Sequence, residues 1–353
     1  MNGDLVVRAL TYFTKGVNTR EDLEDEISMA EEVLGVAEKA LLGAGYKVFT
    51  KRVSLPGVDR GLARALVDYA GRGVLLSAGY SKTLGVDDVI ELALNGIYVP
   101  VLYTGEPSFE EAKAYSTLFH KVSSRDPASA TKIAIGMHGE EFQSPYFPDS
   151  SSKGSRCIGL AFLYPKKLVN LLAKGAGLEE AFEQVFSEVK LIVKAVGDAS
   201  NLPIIVDYSL SPWMDNSVGE LYEASGHSLL SPSAVYYTWL LNKAIWGLSD
   251  PSTRSGFNEV MLPYAEDNVL REYGSRGLLR ARDFLAYAST CVAGVDMVVV
   301  PEDVDKLARL IASTMAIAWV KSRPISLRAI PVPAGPGDLW GLGRFGRVPV
   351  IPY

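Results

Sequence analysis

The chain has 353 residues, a formal net charge of -6, 48% hydrophobic residues and 22% charged residues. These values are typical of a globular protein and exclude a disordered or fibrous chain. The acidic balance and the lack of a basic run argue against nucleic acid as a partner. The apolar stretches are far shorter than the roughly 20 residues that span a bilayer, and the first residues lack the layout of a signal peptide. We therefore expect no membrane partner and a cytoplasmic location.

Cysteine and glutamine are both rare in this chain. Cys157 and Cys291 are the two cysteines, and they form neither a disulfide framework nor a CxxC metal motif. The two glutamines are Gln143 and Gln184, and thermophilic proteins tend to avoid thermolabile amides. This scarcity is a compositional hint of a thermophilic source.

Strand-like and helix-like segments alternate from the start of the chain. VVRALTYFT predicts a strand, residues 21–45 predict a helix, and YKVFTKRVSL predicts a second strand. The next predicted elements are a helix at 58–71, a strand at 73–79, a helix at 86–96, a strand at 98–105, a helix at 108–123 and a strand at 132–137. Such alternation predicts a mostly parallel sheet with helices outside, either doubly wound or closed into a barrel.

Residues 138–156, HGEEFQSPYFPDSSSKGSR, form the longest polar and turn-rich segment. We expect a loop excursion, which serves either a function or plain surface. The later predicted elements are strand CIGLAFLY, two helices within 165–200, strand 203–210, helices NSVGELYEASG and 232–246, strand FNEVMLPYA, helices 266–275 and 280–289, strand GVDMVVVP, helix 302–318 and strand ISLRAIPVP. No break in composition divides the chain, so a single α/β domain over 1–353 is predicted.

Several of these segments together resemble one known family. They are IIVDYSLSPWMDNSVGELYEASG, EVMLPYAEDN, STCVAGVDMVVVP, and RAIPVPAG with the closing GRFGRVPVIP. The combination resembles the uncharacterised family called domain of unknown function 711, over nearly the whole chain. The resemblance implies an α/β barrel of the type found in pyruvate formate-lyase and other glycyl-radical enzymes, assembled as a homo-oligomer. It implies no reaction, because the family has no settled activity and fold alone does not fix function.

The chain departs from the family pattern at three points. HSLLSPSAVYY and STMAIA stand where bacterial members carry GTHGT-like and DEAAIG-like stretches, and SGFNEVMLPYAEDN shortens a glycine-rich segment. Two acidic residues and several glycine turns are therefore missing. The chain is interpreted as a divergent member, archaeal or thermophilic, that binds a variant of the family's ligand or nothing.

Acidic residues at predicted strand ends are the main candidates for chemistry. Asp207 closes the apolar run IIVD, and Glu266 and Asp267 open a predicted helix. Because the carboxyl ends of barrel strands carry the active site, these three side chains are predicted to be catalytic. Paired carboxylates there would act as general acid and base or hold a divalent ion. Helix capping is the alternative role for Asp267 and for Asp215.

Polar side chains beside the catalytic candidates are predicted to bind the substrate. Asp296 lies within a predicted strand and needs a buried partner. Serines next to Asp207 are suited to a phosphate or carboxylate, or else to turns. The predicted substrate-binding residues are Ser209, Asp215, Ser217 and Asp296.

A thiol and a histidine complete the candidates. Cys291 precedes the strand GVDMVVVP and is either a reactive thiol or a small apolar side chain in the core. His138 follows the strand KIAIGM and is a candidate for acid–base chemistry or metal ligation, although no HxxxH or HxH pair indicates a zinc site. The tail GLGRFGRVPV lacks the context of a radical-bearing glycine, so no glycyl radical is expected; its glycines are expected in turns.

Two functions follow from these observations. The favoured one is binding of a small anionic metabolite at the strand carboxyl ends, with acid–base or metal-assisted chemistry. The alternative is a non-catalytic ligand-binding or oligomeric scaffold protein that has lost the family's site. Convergence of Asp207, Glu266 and Asp296 on a cavity would favour the enzyme, and scattered, capped carboxylates would favour the scaffold.

Overall fold

The computed structural model describes residues 5–137, 143–290 and 294–353. The strands in these ranges are β1 (Val6–Phe13), β2 (Lys51–Ser54), β3 (Leu75–Ser77), β4 (Val99–Tyr103), β5 (Ile133–Met137), β6 (Cys157–Leu163), β7 (Ile204–Asp207), β8 (Val295–Pro301), β9 (Ile325–Val332), β10 (Leu339–Gly341) and β11 (Arg347–Pro349). The helices are α1 (Arg20–Gly43), α2 (Arg60–Val67), α3 (Val86–Leu94), α4 (Phe109–Ser123), α5 (Pro127–Ala130), α6 (Pro165–Ala173), α7 (Leu178–Ser200), α8 (Val218–Ala224), α9 (Ser233–Leu248), α10 (Asn268–Ser275), α11 (Asp283–Ala288) and α12 (Val304–Lys321).

Two sheets contain the first nine strands. Their strand orders are β3-β2-β1-β6-β7 and β4-β5-β9-β8. A parallel bridge between Ser77 and Tyr98 joins β3 to β4, and the Tyr98 amide donates to the Leu76 carbonyl at 2.8 Å. The strands β1 to β5 therefore run parallel, and β6 and β9 run antiparallel to β1 and β5 at the two flanks. The mixed α/β class and the parallel core are as predicted.

The nine-stranded ladder curls around a shared interior. Arg8 on β1 and Arg328 on β9 both pair with Glu266, although β2, β3, β4 and β5 separate their strands in the ladder. Within the described residues the hydrogen-bonded strands do not close into a barrel, since β7 and β8 end the two sheets without pairing with each other.

Helices form where apolar residues recur every three or four positions. Along α1 the buried residues Leu23, Ile27, Leu34 and Leu41 lie on one face, and each fully buried leucine contributes roughly 2 kcal/mol. Thr19 begins the helix with a capping box, accepting from the Asp22 amide at 3.0 Å. No helix in the described ranges combines the length and the apolar character needed to cross a membrane.

The carboxyl-terminal half differs from the prediction in two places. FNEVMLPYA was expected to form a strand, but it makes an isolated bridge at Val260 and then a 3-10 turn over Tyr264–Glu266. Pro263 has no N–H to donate, which ends strand pairing at this point. The tail forms an unpredicted hairpin of β10 and β11. Gly343 and Gly346 take positive φ angles in its turn, as expected for tail glycines.

Part of the polar segment between β5 and β6 is buried against the strands. We predicted residues 138–156 to be a loop excursion, yet residues 144–152 are all buried. Their serines bond to the strands: the Ser77 hydroxyl donates to the Ser150 carbonyl at 2.6 Å, and the Ser150 hydroxyl donates to Ser54 at 2.9 Å. The Ser152 amide donates to the Leu55 carbonyl at 3.0 Å. Residues 144–152, called the inner loop below, can be buried because serine hydroxyls satisfy backbone groups that water would otherwise bind.

A cavity lined by buried arginines

A cavity of about 30 Å³ lies within the curl of the ladder. This volume holds about two water molecules. The lining residues are Arg8, Arg52, Leu75, Tyr98, Tyr146, Phe147, Asp149, Ser211, Phe257, Met261, Pro263, Glu266, Asp296, Ser326, Arg328 and Arg344. Most of the strand residues among them lie near the amino ends of their strands, so the cavity is not at the strand carboxyl ends where we predicted the site.

Two β-bulges deliver charged side chains to this cavity. The register of β1 against β6 shifts between Val7 and Ala9, which makes Arg8 the extra residue. The register of β8 against β9 shifts between Val295 and Val298, so that Asp296 and Met297 together oppose Arg328. A bulge redirects a side chain, and bulges are frequent next to active sites.

The second bulge also carries backbone strain. Met297 is buried and has a φ angle of 55°, a left-handed conformation that residues other than glycine rarely adopt. Such strained positions cluster at functional sites. The strain at Met297 is therefore a second sign, independent of the charges, that this region serves a function.

Three of the lining groups form one ion-pair network around Glu266. Arg328 binds Asp296 with Nε to Oδ1 at 2.5 Å and Nη2 to Oδ2 at 2.7 Å. Its Nη2 also lies 3.3 Å from Glu266 Oε1, and Arg8 donates to Glu266 Oε2. Burial alone would raise the pKa of Glu266, but Arg8, Arg328 and Arg344 together outweigh burial and hold that pKa below its usual range. Glu266 is therefore ionised, and each of its two carboxylate oxygens accepts from an arginine.

Arg52 is buried without a counter-ion. The residue is 4% exposed. Its guanidinium donates to Thr50 Oγ1 at 2.9 Å and to the Pro145 carbonyl at 3.1 Å. The guanidinium also lies over the ring of Phe147, 5.1 Å from its centroid. Within the described residues no carboxylate forms an ion pair with it. Burial, reinforced by the nearby charge of Arg8, lowers the pKa of Arg52 to about 9.

Asp149 is the remaining carboxyl group in the cavity. It comes from the inner loop, and its Oδ1 accepts from the Ser326 hydroxyl at 2.5 Å. Burial raises the pKa of Asp149 to about 6, while Ser326 and Arg328 offset part of the rise and Asp296 adds to it. Asp149 therefore changes its charge near neutral pH.

Asp207 does not line the cavity, in contrast to the catalytic role predicted for it. Its Oδ1 accepts from the amide and hydroxyl of Ser209 at 3.0 and 2.6 Å and from the Asn258 amide at 3.0 Å. Its Oδ2 accepts from the Phe257 amide at 2.8 Å and from Ser144 at 3.0 Å. Burial raises the pKa of Asp207, and these donors offset part of the rise. Five donors around one buried carboxyl indicate a structural support between β7, the inner loop and residues 257–258.

Asp267 caps two helices at once. Its Oδ2 accepts from the Val218 and Gly219 amides at 2.8 and 3.1 Å, at the start of α8. Its Oδ1 accepts from the Val269 amide at 3.0 Å, at the start of α10, and from the Ser217 hydroxyl at 2.6 Å. Burial raises the pKa of Asp267, and its hydrogen bonds offset part of that rise. The capping alternative considered for this residue therefore describes its contacts, and it does not line the cavity.

Of the four predicted substrate-binding residues, one lines the cavity and three do not. Asp296 lines the cavity. Ser209 bonds Asp207, and Ser217 is the N-cap of α8. Asp215 is exposed and accepts from the Asn268 side chain at 2.6 Å. Of the described candidates, Glu266 and Asp296 therefore meet at one place and the others support helix or strand ends.

The histidine and thiol candidates, His138 and Cys291, lie outside the described residues. Cys157 is buried; burial raises the pKa of its thiol to about 11, and its Sγ accepts from Gln143 at 3.1 Å. The described parts of the chain contain no group of three or more histidine, cysteine, aspartate or glutamate side chains suited to a metal ion.

The arginines that define the cavity were not among the predicted site residues. Arg8 and Arg328 each interrupt an apolar strand, in VVRALTYF and ISLRAIPV. An arginine flanked by such residues must be buried, and a buried charge requires partners. That pattern was the available signal. Asp149 gave none, because it lies in a stretch that reads as an exposed loop.

Comparison with known proteins places this chain among uncharacterised relatives. A family model described as uncharacterised ACR (DUF711) matches residues 109–341. A UPF0210 protein of Methanopyrus kandleri is 34% identical, with 94% of this chain and 85% of the relative covered. One of Pyrobaculum aerophilum is 26% identical, with 99% and 90% covered. One of Pyrobaculum arsenaticum is 36% identical over 41% of this chain and 35% of its own length. None of these names specifies a reaction or a ligand.

Proposed function

Because the chain belongs to the uncharacterised DUF711 family, which supplies no reaction, we propose its function from the cavity: it binds a small anionic metabolite beside Arg52. The observation that carries this proposal is a buried guanidinium whose partners within the described residues are all neutral. An unpaired buried charge costs several kcal/mol. A bound anion would remove that cost by pairing with the Arg52 guanidinium.

Neighbouring groups support the same ligand. Arg8 Nε is buried and has no hydrogen-bond partner within the described residues. Arg344 comes from the exposed tail hairpin and lines the same cavity. Guanidinium groups bind carboxylates and phosphates through paired hydrogen bonds. An anion in the cavity would therefore meet donors on more than one side.

The chemistry proposed at this site is acid–base rather than radical, with Asp149 as the group that gains and loses the proton. Glu266 and Asp296 are held by arginines, which leaves them poorly suited to a divalent ion. We propose that they orient the arginines and that Asp207 and Asp267 support the surrounding chain. Roles for His138 and Cys291 stay predictions, as do a pyruvate formate-lyase-type barrel, a homo-oligomer, a cytoplasmic location and an archaeal or thermophilic source.

A non-catalytic scaffold is the second candidate. The observation that favours it is the small volume of the cavity, about 30 Å³, which restricts the ligand to a few heavy atoms. A scaffold would keep the ion-pair network for stability and would show no response to anions. The experiment below separates the two functions.

The test is thermal unfolding of the full chain in sodium acetate, propionate, phosphate or sulfate, against sodium chloride at matched ionic strength. A ligand of the folded state raises the midpoint by mass action. We expect at least one anion to raise it, and Arg52→Met to abolish the rise. Arg20→Met is the matched control, because Arg20 is exposed and pairs with Asp68 on the surface. An equal response in all three proteins would show a general salt effect, and no response in the parent chain would support the scaffold.

A further inference from the structure

We infer that the cavity takes a monoanionic carboxylate together with one proton, and that Asp149 holds the proton. This inference rests on the proposed anion binding and adds the class of the ligand. No covalent bond forms or breaks. The ligand enters as the carboxylate, and Asp149 takes its proton from solvent.

The balance of buried charges carries the inference. Among the described residues, three arginines with less than a tenth of their surface exposed line the cavity, and so do three equally buried carboxyl groups. They are Arg8, Arg52 and Arg328, and Asp149, Glu266 and Asp296. If all six are ionised, their charges cancel and an added anion has no counter-charge. If Asp149 is protonated, one positive charge remains, and a single negative charge balances it.

The position of the remaining positive charge fits the same ligand. Glu266 and Asp296 are taken by Arg8 and Arg328, so the uncompensated charge resides on Arg52. Arg344 is exposed, so solvent and salt weaken its attraction for a bound anion relative to that of the buried arginines. The buried site therefore balances one negative charge well and two poorly. Sulfate, phosphate dianion and dicarboxylates are disfavoured on this ground.

The orientation of Asp149 gives the proton a use. Ser326 occupies Oδ1, and no hydrogen bond to Oδ2 is found within the described residues. A protonated carboxyl group donates one hydrogen bond. With Oδ2 protonated, Asp149 would donate to an oxygen of the ligand, whereas an ionised Asp149 would repel it.

The apolar wall favours an organic anion. Phe147, Phe257 and Met261 line the cavity together with the charged groups. These side chains offer contact to a carbon skeleton but no hydrogen bonds that would replace the hydration of an inorganic oxyanion. The volume of about 30 Å³ limits that skeleton to a few carbon atoms. A short-chain monocarboxylate meets both conditions.

Other groups that face Asp149 act on its pKa and therefore contribute to any pH dependence of binding. Arg328 and Ser326 face it from β9 and Asp296 from β8. Burial raises the pKa of Asp296 while Arg328, to which it is hydrogen-bonded, lowers it. The remaining charged or titratable groups around the cavity are Arg8, Arg52, Glu266, Arg344, Tyr98 and Tyr146.

The test is calorimetric titration of the full chain with sodium propionate between pH 5 and pH 8, in buffers of different ionisation enthalpy. Above pH 6 we expect uptake of one proton per propionate and a dissociation constant that rises about tenfold per pH unit. At pH 5, where Asp149 is already largely protonated in the free protein, we expect little proton uptake by Asp149 and an affinity for the propionate anion that changes little with pH. Sulfate and succinate are expected to bind at least tenfold more weakly than propionate.

Two variants assign the proton. Asp149→Asn should bind propionate with the same affinity across the pH range and without proton uptake, because the amide mimics the neutral acid. Asp305→Asn changes an exposed carboxylate that pairs with Lys113 away from the cavity, and this control should retain the uptake. Anion binding through Arg52 without proton uptake in the parent protein, or tighter binding of the dianions, would overturn this inference and leave the proposed function intact. A lack of binding by every anion would overturn both.

Discussion

Arg328 and Asp296 face each other because two residues of β8 oppose one residue of β9. Without the bulge, the strict alternation of a strand would determine the direction of the Asp296 side chain. The extra residue instead places a carboxylate against both Nε and Nη2 of the guanidinium. The strained backbone at Met297 is the structural cost of this pair.

Removing the carboxylate should expose how much that pair stabilises the fold. We expect Asp296→Ala to lower the free energy of unfolding by about 3–5 kcal/mol, because a buried guanidinium loses its main partner. Asp305→Ala removes an exposed pair with Lys113 and should cost less than about 1 kcal/mol. Urea unfolding measures both. Similar losses in the two variants would show that the buried pair has no special weight.

Asp267 should stabilise the fold more than an ordinary helix cap. We expect Asp267→Ala to cost more than Asp303→Ala, since Asp267 caps α8 and α10 whereas Asp303 caps α12 alone. A single cap is worth about 1 kcal/mol, and the buried amides left behind at Asp267 add to the loss. Urea unfolding of the two variants checks the ranking, and the reverse order would contradict the double-cap assignment.

The support role of Asp207 predicts a sharp steric effect at Gly256. Gly256 has a φ of +84°, and a Cβ there would lie 2.3 Å from Asp207 Oδ2. Gly154 has a φ of +78° with nothing closer than 3.9 Å to its Cβ position. Both alanine variants should therefore lose about 1 kcal/mol to backbone strain, and Gly256→Ala should lose at least 1–3 kcal/mol more. Comparing the thermal unfolding midpoints of the two variants isolates the steric contact with Asp207. Equal midpoints would refute that contact.

Asp149 should make stability depend on pH in a defined window. Its pKa is raised to about 6 in the folded protein by burial, against about 3.9 in an unfolded chain. The folded state therefore binds the proton more tightly than the unfolded chain does. The resulting stabilisation of the folded state is full below about pH 4 and is lost as the pH rises through about 6. Relative to Asp149→Asn, the parent protein should lose roughly 2–3 kcal/mol between these pH values. Urea unfolding at pH 4 to 7 checks the difference, and parallel curves for the two proteins would exclude it.

The sequence predicted the order of elements well because most of them are amphipathic or uniformly apolar. The helix over 21–45 and the strand VVRALTYFT match α1 and β1 closely. The segment FNEVMLPYA failed because its apolar residues pack between elements without pairing as a strand. Apolar character reports burial, and only the hydrogen-bond partners decide between a strand and an irregular buried segment.

The site was harder to predict because position along a strand does not reveal what a side chain faces. Asp207 and Asp296 both belong to apolar strands, yet one meets five donors and the other an arginine beside the cavity. Glu266 was identified because it follows a strand-like run, but its arginine partners are more than 60 residues away or at the opposite end of the chain. The curl that joins them depends on every strand between β1 and β9.

The inner loop should be protected from solvent, unlike loops on a protein surface. Its buried residues bond to β2, β3 and the segment after β1, so these amides can meet solvent only when the strands around them separate. We expect hydrogen–deuterium exchange in residues 144–152 to be as slow as in the strands, and proteases that nick exposed loops to leave it intact.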